Sequence, residues 1–375
     1  MPQPNPQILQ ANPKAAYLEH ATAVLASVQR VLESGIYILG EEVQQFEVEF
    51  SRFVGASETV AVGSGTDALA VALRALGVGS GDLVATTSNT AVATVSAIYQ
   101  AGAEPILIDV EPDTLTLSPS RFEEALETNP GKIKGVIPVH LYGHPADMPA
   151  IEAIAQRHGI FILEDCAQSH GASLNGRQTG TWGSAAAFSF YPTKNLGALG
   201  DAGAVTTSNP ALAEQIRLLR QYGWKTRYIS QINGINTRMD PVQAAILRVF
   251  LQHLAESNQR RAAIADLYTQ GLAGLPLRCP AVRPGAKHAY HQYTIRSASR
   301  DRIQAGLSAL GIPSAILYPV PIHLQPAYKN AIRIGPGGLP ETELAASEIL
   351  SLPLYPQIPK QHVELVIQAL RQLLG

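Results

Sequence analysis

Between about residues 57 and 208, short apolar runs alternate with helical patterns, and few folds accommodate that rhythm. Thr59 to Val62, Leu83 to Thr87, Pro105 to Val110, Gly135 to His140 and Gly159 to Glu164 read as strands, followed by Ala185 to Phe190 and Gly203 to Thr207. Helical patterns fall between them at Asp67 to Leu76, Val92 to Gln100 and Pro149 to His158. Such alternation predicts an α/β fold, a mostly parallel sheet with helices on both faces. Ligands in these sheets bind beyond the carboxyl ends of the strands, so chemistry is expected in the loops that follow them.

From about Asp240 the pattern changes. A long helical stretch covers Pro241 to Leu254, a second runs through Tyr268, and a strand is expected near Tyr290 to Arg296. Segments near Leu275 to Gly285 and Gly335 to Pro340 are rich in Pro and Gly and read as loops. At 375 residues the chain exceeds what one core usually fills. The expected division is a large domain over 1–250, N-terminal segment included, and a smaller α+β domain over 251–375.

Charged residues make up 15% of the chain and hydrophobic ones 46%, a mix that buries much surface, a subunit interface included. A net charge of −2 provides no field for nucleic acid or an anionic membrane, although Arg217, Arg220, Lys225 and Arg227 form a local basic cluster. The two cysteines, Cys166 and Cys279, form no CxxC and no Cys/His cluster, so neither a disulfide framework nor a metal site is expected. Met1 to Pro6 lacks the basic and apolar regions of a signal peptide. No apolar stretch reaches the roughly 20 residues of a membrane span. A cytoplasmic protein is expected.

Three motifs carry chemistry. Gly63-Ser64-Gly65-Thr66-Asp67-Ala68 follows a strand and opens a helix, where glycines let the backbone approach an anion and free N–H groups point at it. The same spacing also reads as the G-x-G-x-x-A of a dinucleotide site, which makes an NAD(P)-binding reductase a reading from a different class. Asp82 fits the acidic partner of that motif poorly, lying in a Gly-Ser-Gly-Asp turn. A tight turn without ligand is the plain alternative. Lys194, one of eight lysines, sits among small and apolar residues in Ser189-Phe190-Tyr191-Pro192-Thr193-Lys194-Asn195-Leu196-Gly197. A lysine buried there has a depressed pKa and a reactive neutral amine. Asp165 ends the apolar run before Cys166-Ala167-Gln168-Ser169-His170. A buried lysine able to form a Schiff base, with a carboxylate at a strand end, is the pair that pyridoxal phosphate (PLP) chemistry needs. Gln168 is placed to meet the ring hydroxyl. The bland readings are that Lys194 snorkels to the surface, Asp165 caps a helix, Cys166 is a small buried residue and His170 is a satisfied structural histidine.

The order of phosphate loop, Asp-x-x-Gln and Ser-Phe-Tyr-Pro-x-Lys-Asn-Leu-Gly-x-x-Gly-Asp-x-Gly resembles the DegT/DnrJ/EryC1/StrS family of nucleotide-sugar aminotransferases. Pro138 to Gly143, Gly234 to Asp240 with Gln243 to Ala245, and Tyr318 to His323 are similar to further family segments, so the resemblance runs from about Val31 to the end. It implies a type I PLP-dependent, aspartate aminotransferase-like fold and a homodimer with shared active sites. It implies that Lys194 carries PLP and moves the proton, that Asp165 pairs with the pyridine nitrogen and that Gln168 contacts the ring hydroxyl. Gly65, Thr66 and Ser189 would bind the phosphate, with Asn236 reaching in from the other subunit. Tyr191, Tyr318 and His323 would line the substrate side. The implied reaction takes an amino group from L-glutamate, by way of pyridoxamine phosphate (PMP), to a keto carbon of a dTDP-linked 6-deoxyhexose.

The chain departs from the family pattern in two places. Many members stack an aromatic side chain on the PLP ring where this chain has Ala91. Members acting at sugar C4 usually carry a His after Ser-Phe and Gly-Glu-Gly-Gly after the lysine; here stand Tyr191 and Gly200-Asp201-Ala202-Gly203. That pattern is similar to the branch acting at C3, with a C4 aminotransferase as the alternative. An amino-acid aminotransferase would usually place an arginine soon after the lysine, and Asn195 to Gly203 has none. A PLP sugar dehydratase usually replaces the lysine with histidine. A non-catalytic paralogue would have little reason to keep all three motifs.

Overall fold

Eight strands form one sheet at the centre of the molecule. The computed structural model describes residues 8–375, and the Met1 to Pro6 segment read above lies outside them. The strands are β1 (Glu58–Val62), β2 (Leu83–Thr87), β3 (Glu104–Ile108), β4 (Ile133–Val136), β5 (Phe161–Asp165), β6 (Ala185–Ser189), β7 (Gly203–Thr207) and β8 (Arg333–Ile334). Their order is β1-β7-β6-β5-β4-β2-β3-β8. From β6 to β8 every neighbouring pair is parallel. Only β7 runs antiparallel, against both β1 and β6. The carboxyl ends of β1, β2, β5 and β6 therefore share one edge.

The fold is the α/β architecture that the alternation predicts. Every residue of β2 and β7 is buried, as a sheet covered on both faces requires. Strand β4 stops earlier than the pattern suggested, at Val136 rather than His140. Pro138 has no N–H to donate, which interrupts the ladder. The chain nevertheless stays beside β5, with the His140 N–H bonded to the Asp165 carbonyl at 3.1 Å.

Packing beneath the sheet fixes the catalytic edge. The helix Glu41–Val54 buries Val43, Phe46, Phe50 and Val54 along one stripe. Phe50 meets Phe188 and Phe190 edge-on, with centroids 5.0 and 5.2 Å apart. Because side chains alternate along a strand, two phenylalanines turned into this core leave Ser189 between them facing away from it.

A second core gathers Tyr268, Tyr293, Leu307, Leu350 and Val366 around an antiparallel ribbon of Tyr293–Arg296 and Ile349–Leu352. Two segments cross the expected line between residues 250 and 251. Ile8 packs in this second core, held by Gln10 Nε2 bonded to the Ser351 and Leu352 carbonyls. In the other direction, β8 extends the large sheet beside β3. The basic cluster is partly neutralised from within, since Arg217 pairs with Glu58 and Arg220 with Glu47, both at 2.6 Å. No helix among the described residues is long and apolar enough to cross a membrane.

Candidate active site

Beyond the shared strand edge lies a cavity of about 350 Å³. The loop after β1 brings Gly65 and Thr66 to it, β5 brings Asp165 and Gln168, and β6 brings Ser189 and Lys194. Residues distant in sequence thus meet because their strands end on one side of the sheet.

Asp165 lies on the cavity floor, 5% exposed. Its Oδ2 accepts from Thr94 Oγ1 at 2.8 Å and its Oδ1 from the Ala167 N–H at 3.1 Å. Burial raises its pKa, and these bonds and the Lys194 charge oppose the rise. Lys194 stands in the same cavity with its ammonium desolvated. Burial lowers its pKa to about 8, against the pull of the Asp165 charge. The amine is therefore far closer to neutrality at physiological pH than a surface lysine.

Gln168 is clamped at both ends of its amide. Its Oε1 accepts from the Tyr142 N–H at 2.6 Å, and its Nε2 donates to the Tyr318 hydroxyl at 3.2 Å. On the opposite wall the helix Gly65–Ala75 begins, with Ser64 Oγ accepting from the Asp67 N–H at 3.1 Å. Gly65 passes so close to β6 that a Cβ there would lie 2.5 Å from the Ser189 Cβ. The result is a cradle of backbone N–H groups and hydroxyls, and among the described residues Lys194 is the only lysine or arginine lining the cavity.

The chain matches the DegT/DnrJ/EryC1/StrS aminotransferase family over residues 19–371. It belongs to that family. It is 45% identical, over 96% of its length and 94% of the relative, to a dTDP-3-amino-3,4,6-trideoxy-alpha-D-glucose transaminase of Streptomyces venezuelae. It is 39% identical to a UDP-N-acetyl-3-dehydro-alpha-D-glucosamine 3-aminotransferase of Acidithiobacillus ferrooxidans, covering 94% of each chain. The crystal structure of S. venezuelae DesV in complex with a ketimine intermediate superposes with a TM-score of 0.95 at 44% identity, covering 98% of both chains. The protein is an aminotransferase of a PLP-dependent family with a type I PLP fold, and the dinucleotide reading of the Gly63 loop is set aside.

The aminotransferase cavity suits PLP on its own chemistry. A desolvated amine faces in from one side. A buried carboxylate with two donors already in place keeps acceptor capacity for a protonated ring nitrogen. The Gly65 cradle offers a doubly charged phosphate neutral donors and a helix N-terminus.

Not every expected residue comes to this cavity. Tyr191 and Tyr318 line it, as does Asp201. His323 does not: it is buried, with Nδ1 2.8 Å from Ser88 Oγ and Nε2 3.1 Å from a Glu343 carboxylate oxygen. Both ring nitrogens already have partners within the chain. Asn236 lines an adjoining open pocket with Ser64, Asp67 and Asp201. Its neighbour Thr237 fixes the loop from behind, Oγ1 accepting from the Gly63 N–H at 2.9 Å and donating to Asp67 Oδ2 at 2.8 Å.

Two buried groups near the site differ from simple expectation. His170 is fully buried, 5.5 and 5.6 Å from the Phe188 and Phe190 ring centres, and burial pushes its pKa down to about 3. Among the described residues its ring nitrogens make no side-chain hydrogen bond, and the ring packs against the two phenylalanines. His140, Glu164 and Cys166 come together as a metal-sized cluster. However, both Glu164 oxygens already accept protein hydrogen bonds, and His140 Nδ1 accepts from the Ala146 N–H at 3.0 Å.

Sequence reasoning missed Thr94, which holds Asp165, and His291 and Gln292, which reach the cavity from the C-terminal half. Thr94 lay within a segment compared only for its aromatic position; His291 belongs to no local motif.

The depressed Lys194 pKa has a direct readout in the protein free of cofactor. Competitive acetylation, followed by peptide mass spectrometry, is expected to show Lys194 reactivity rising with pH and half-maximal near pH 8. Surface lysines should reach half reactivity only near the ordinary value of about 10.4. A Lys194 midpoint at the surface value would remove the desolvated amine.

Proposed function

We propose that this enzyme transfers the amino group of L-glutamate to C3 of a dTDP-linked 3-keto-6-deoxyhexose, in the biosynthesis of a deoxyaminosugar. The observation that carries this reading is Tyr191 and Asp201 lining the same cavity as Lys194 and Asp165. These positions hold His and Glu in the C4 pattern. The similarity to a dTDP-3-amino-sugar transaminase supports the same choice. We place the reaction in the cytoplasm, the compartment that supplies nucleotide-linked sugars and glutamate. The division into a large domain over 1–250 and a small one over 251–375 belongs to this reading, with the cavity between their contributions.

PLP, when bound, supplies an electron sink for the charge that develops as a proton leaves carbon. Lys194 would hold it through Nζ, and the same amine is the group placed to take and return the proton at the reacting carbon. Asp165 would hold the proton on the ring nitrogen by charge. Gln168, fixed by Tyr142 and Tyr318, would meet the ring hydroxyl. Gly65, Thr66 and Ser189 would hold the phosphate with neutral donors, which would leave Lys194 free of a competing anchor.

Asn236 completes the phosphate site of the other subunit of a homodimer. Exposed Leu25, Leu32, Ile36, Tyr37 and Ile38 support such an interface, and Ile38 shares a pocket with Asn236. Mixed Asn236→Ala and Lys194→Ala proteins are expected to regain activity on subunit exchange, because one site of the heterodimer then carries neither defect. Verified exchange without recovery would place Asn236 in its own subunit's site.

Asp165→Asn is expected to lower kcat by roughly a hundredfold or more, and Gln168→Ala by much less, because only the first removes a charge on which the transition state depends. Equal and mild losses in steady-state kinetics would take the ring-nitrogen role from Asp165.

Regiochemistry is decided by NMR of the products formed from 3-keto and 4-keto sugars on dTDP and UDP, with glutamate as donor. Amination at C3 of the dTDP-linked 3-keto-6-deoxy sugar is expected to dominate. Efficient amination at C4 alone would overturn the C3 assignment, and preference for the UDP sugar would overturn the nucleotide.

A further inference from the structure

His291 enters the cavity from just before the strand Tyr293–Arg296, and its ring orientation can be worked out from its neighbours. Asn195, the residue after Lys194, makes three side-chain contacts. Its Nδ2 lies 2.7 Å from the Ala289 carbonyl and 2.8 Å from Asn258 Oδ1. A backbone carbonyl only accepts, so the amide nitrogen must face Ala289. The same logic fixes Asn258, whose Nδ2 donates to the His170 carbonyl at 2.8 Å. Asn195 Oδ1 is thereby left facing His291 Nδ1 at 3.2 Å. Oxygen accepts there, so His291 Nδ1 carries the proton, and in a neutral ring Nε2 is an unprotonated acceptor.

Nothing protonates this ring easily. Burial and the Lys194 charge together push its pKa well below the usual histidine value. Among the described residues the ring's one side-chain hydrogen bond is the Nδ1 contact to Asn195, and His291 lines the cavity. The Lys194 amine lines the same space, and no hydrogen bond contributes to its shifted pKa. One unmatched acceptor and one unmatched donor thus share one polar chamber.

We propose that Asn195 and His291 form a tautomer lock for Lys194: Asn195 holds the ring with its bare Nε2 toward the cavity, and Nε2 accepts a hydrogen bond from the Lys194 amine. An amine that donates one N–H to a fixed acceptor has its lone pair aimed elsewhere, here toward the reacting carbon. His291 is a positioning residue that acts through Lys194. The proposal rests on the reading of Lys194 as the proton-carrying amine.

The test has one readout free of cofactor and activity. In cofactor-free protein labelled with ¹⁵N-histidine, the ring signals absent from His291→Gln belong to His291. They are expected to show protonated Nδ1 and unprotonated Nε2 at pH 7. In Asn195→Leu, which cannot accept, the ring should lose that fixed tautomer. In the PLP-loaded enzyme, His291→Phe should lower kcat by about 10- to 100-fold with KM for both substrates within about threefold, a positioning loss. His291→Gln, whose amide oxygen reaches the Nε2 position, should recover much of it.

A protonated Nε2 in the wild type, or His291→Phe with kcat within about twofold of wild type, overturns the lock. A loss confined to KM for the sugar also overturns it, by giving Nε2 to a sugar hydroxyl. If His291→Phe does not fold, the wild-type tautomer and the Gln variant decide. Turnover by Lys194→Ala would sink the aminotransferase chemistry of Lys194 itself, and the tautomer measurement keeps that failure distinct.

Discussion

Glu164, at the end of β5, is the hydrogen-bonding centre on which the catalytic edge depends. It has no exposed surface, yet both its oxygens are fully engaged. Oε1 accepts from the Trp182 and Gly183 N–H groups at 2.7 and 3.0 Å, and Oε2 from the Gly180 N–H at 2.8 Å and His140 Nε2 at 3.0 Å. One carboxylate therefore ties the turn before β6 and the segment after β4 to the end of β5. Losing one partner of such a buried charged cluster typically costs about 3–5 kcal/mol. Glu164 and Asp165 are successive strand residues, so they point to opposite faces. Anchoring the first fixes the direction of the second.

The sheet was largely legible because hydrophobic periodicity is local. The runs at Leu83 to Thr87, Ala185 to Phe190 and Gly203 to Thr207 coincide with β2, β6 and β7 almost residue for residue. Lys194, Asp165, Gln168, Gly65, Thr66 and Ser189 announced themselves through local motifs, and the structure brings all six to one cavity. What stayed hidden is non-local. Nothing in Tyr290 to Tyr293 signals that His291 reaches the cavity of Lys194, because that meeting depends on segments distant in sequence packing together. His323 shows the converse. Its motif suggested a place near the substrate, and only the folded chain reveals that its ring is held by Ser88 and Glu343. The crossings of Ile8 and β8 between the two halves are likewise pairings that no window of sequence contains.

Lys194 and Asp165 are each shifted by the same cause. Burial disfavours both charges, lowering the lysine pKa and raising that of the aspartic acid. Each opposes the other's shift, so the pair is balanced rather than locked as a tight ion pair, and no direct hydrogen bond joins them. That balance suits a site in which both groups must engage a third one. A tight salt bridge would have to be broken before either could act.

The alanine at position 91 would change how a bound planar ring is held. Ala91 and Ala93 line the cavity on the side where many relatives carry an aromatic side chain, so stacking from that position is absent. Orientation would then fall to contacts at the ring edge. Those contacts are unusually well braced. Asp165 is held by Thr94 and the Ala167 N–H, and Gln168 by the Tyr142 N–H and the Tyr318 hydroxyl. A hydrogen-bonding group whose own rotamer is fixed loses little entropy when it binds, and it specifies angle as well as distance. Stacking fixes a plane but leaves rotation within it; edge contacts at two separated points fix that rotation. The small side chains at 91 and 93 leave that side of the cavity open, while the precision of the site would reside in the braced Asp165 and Gln168.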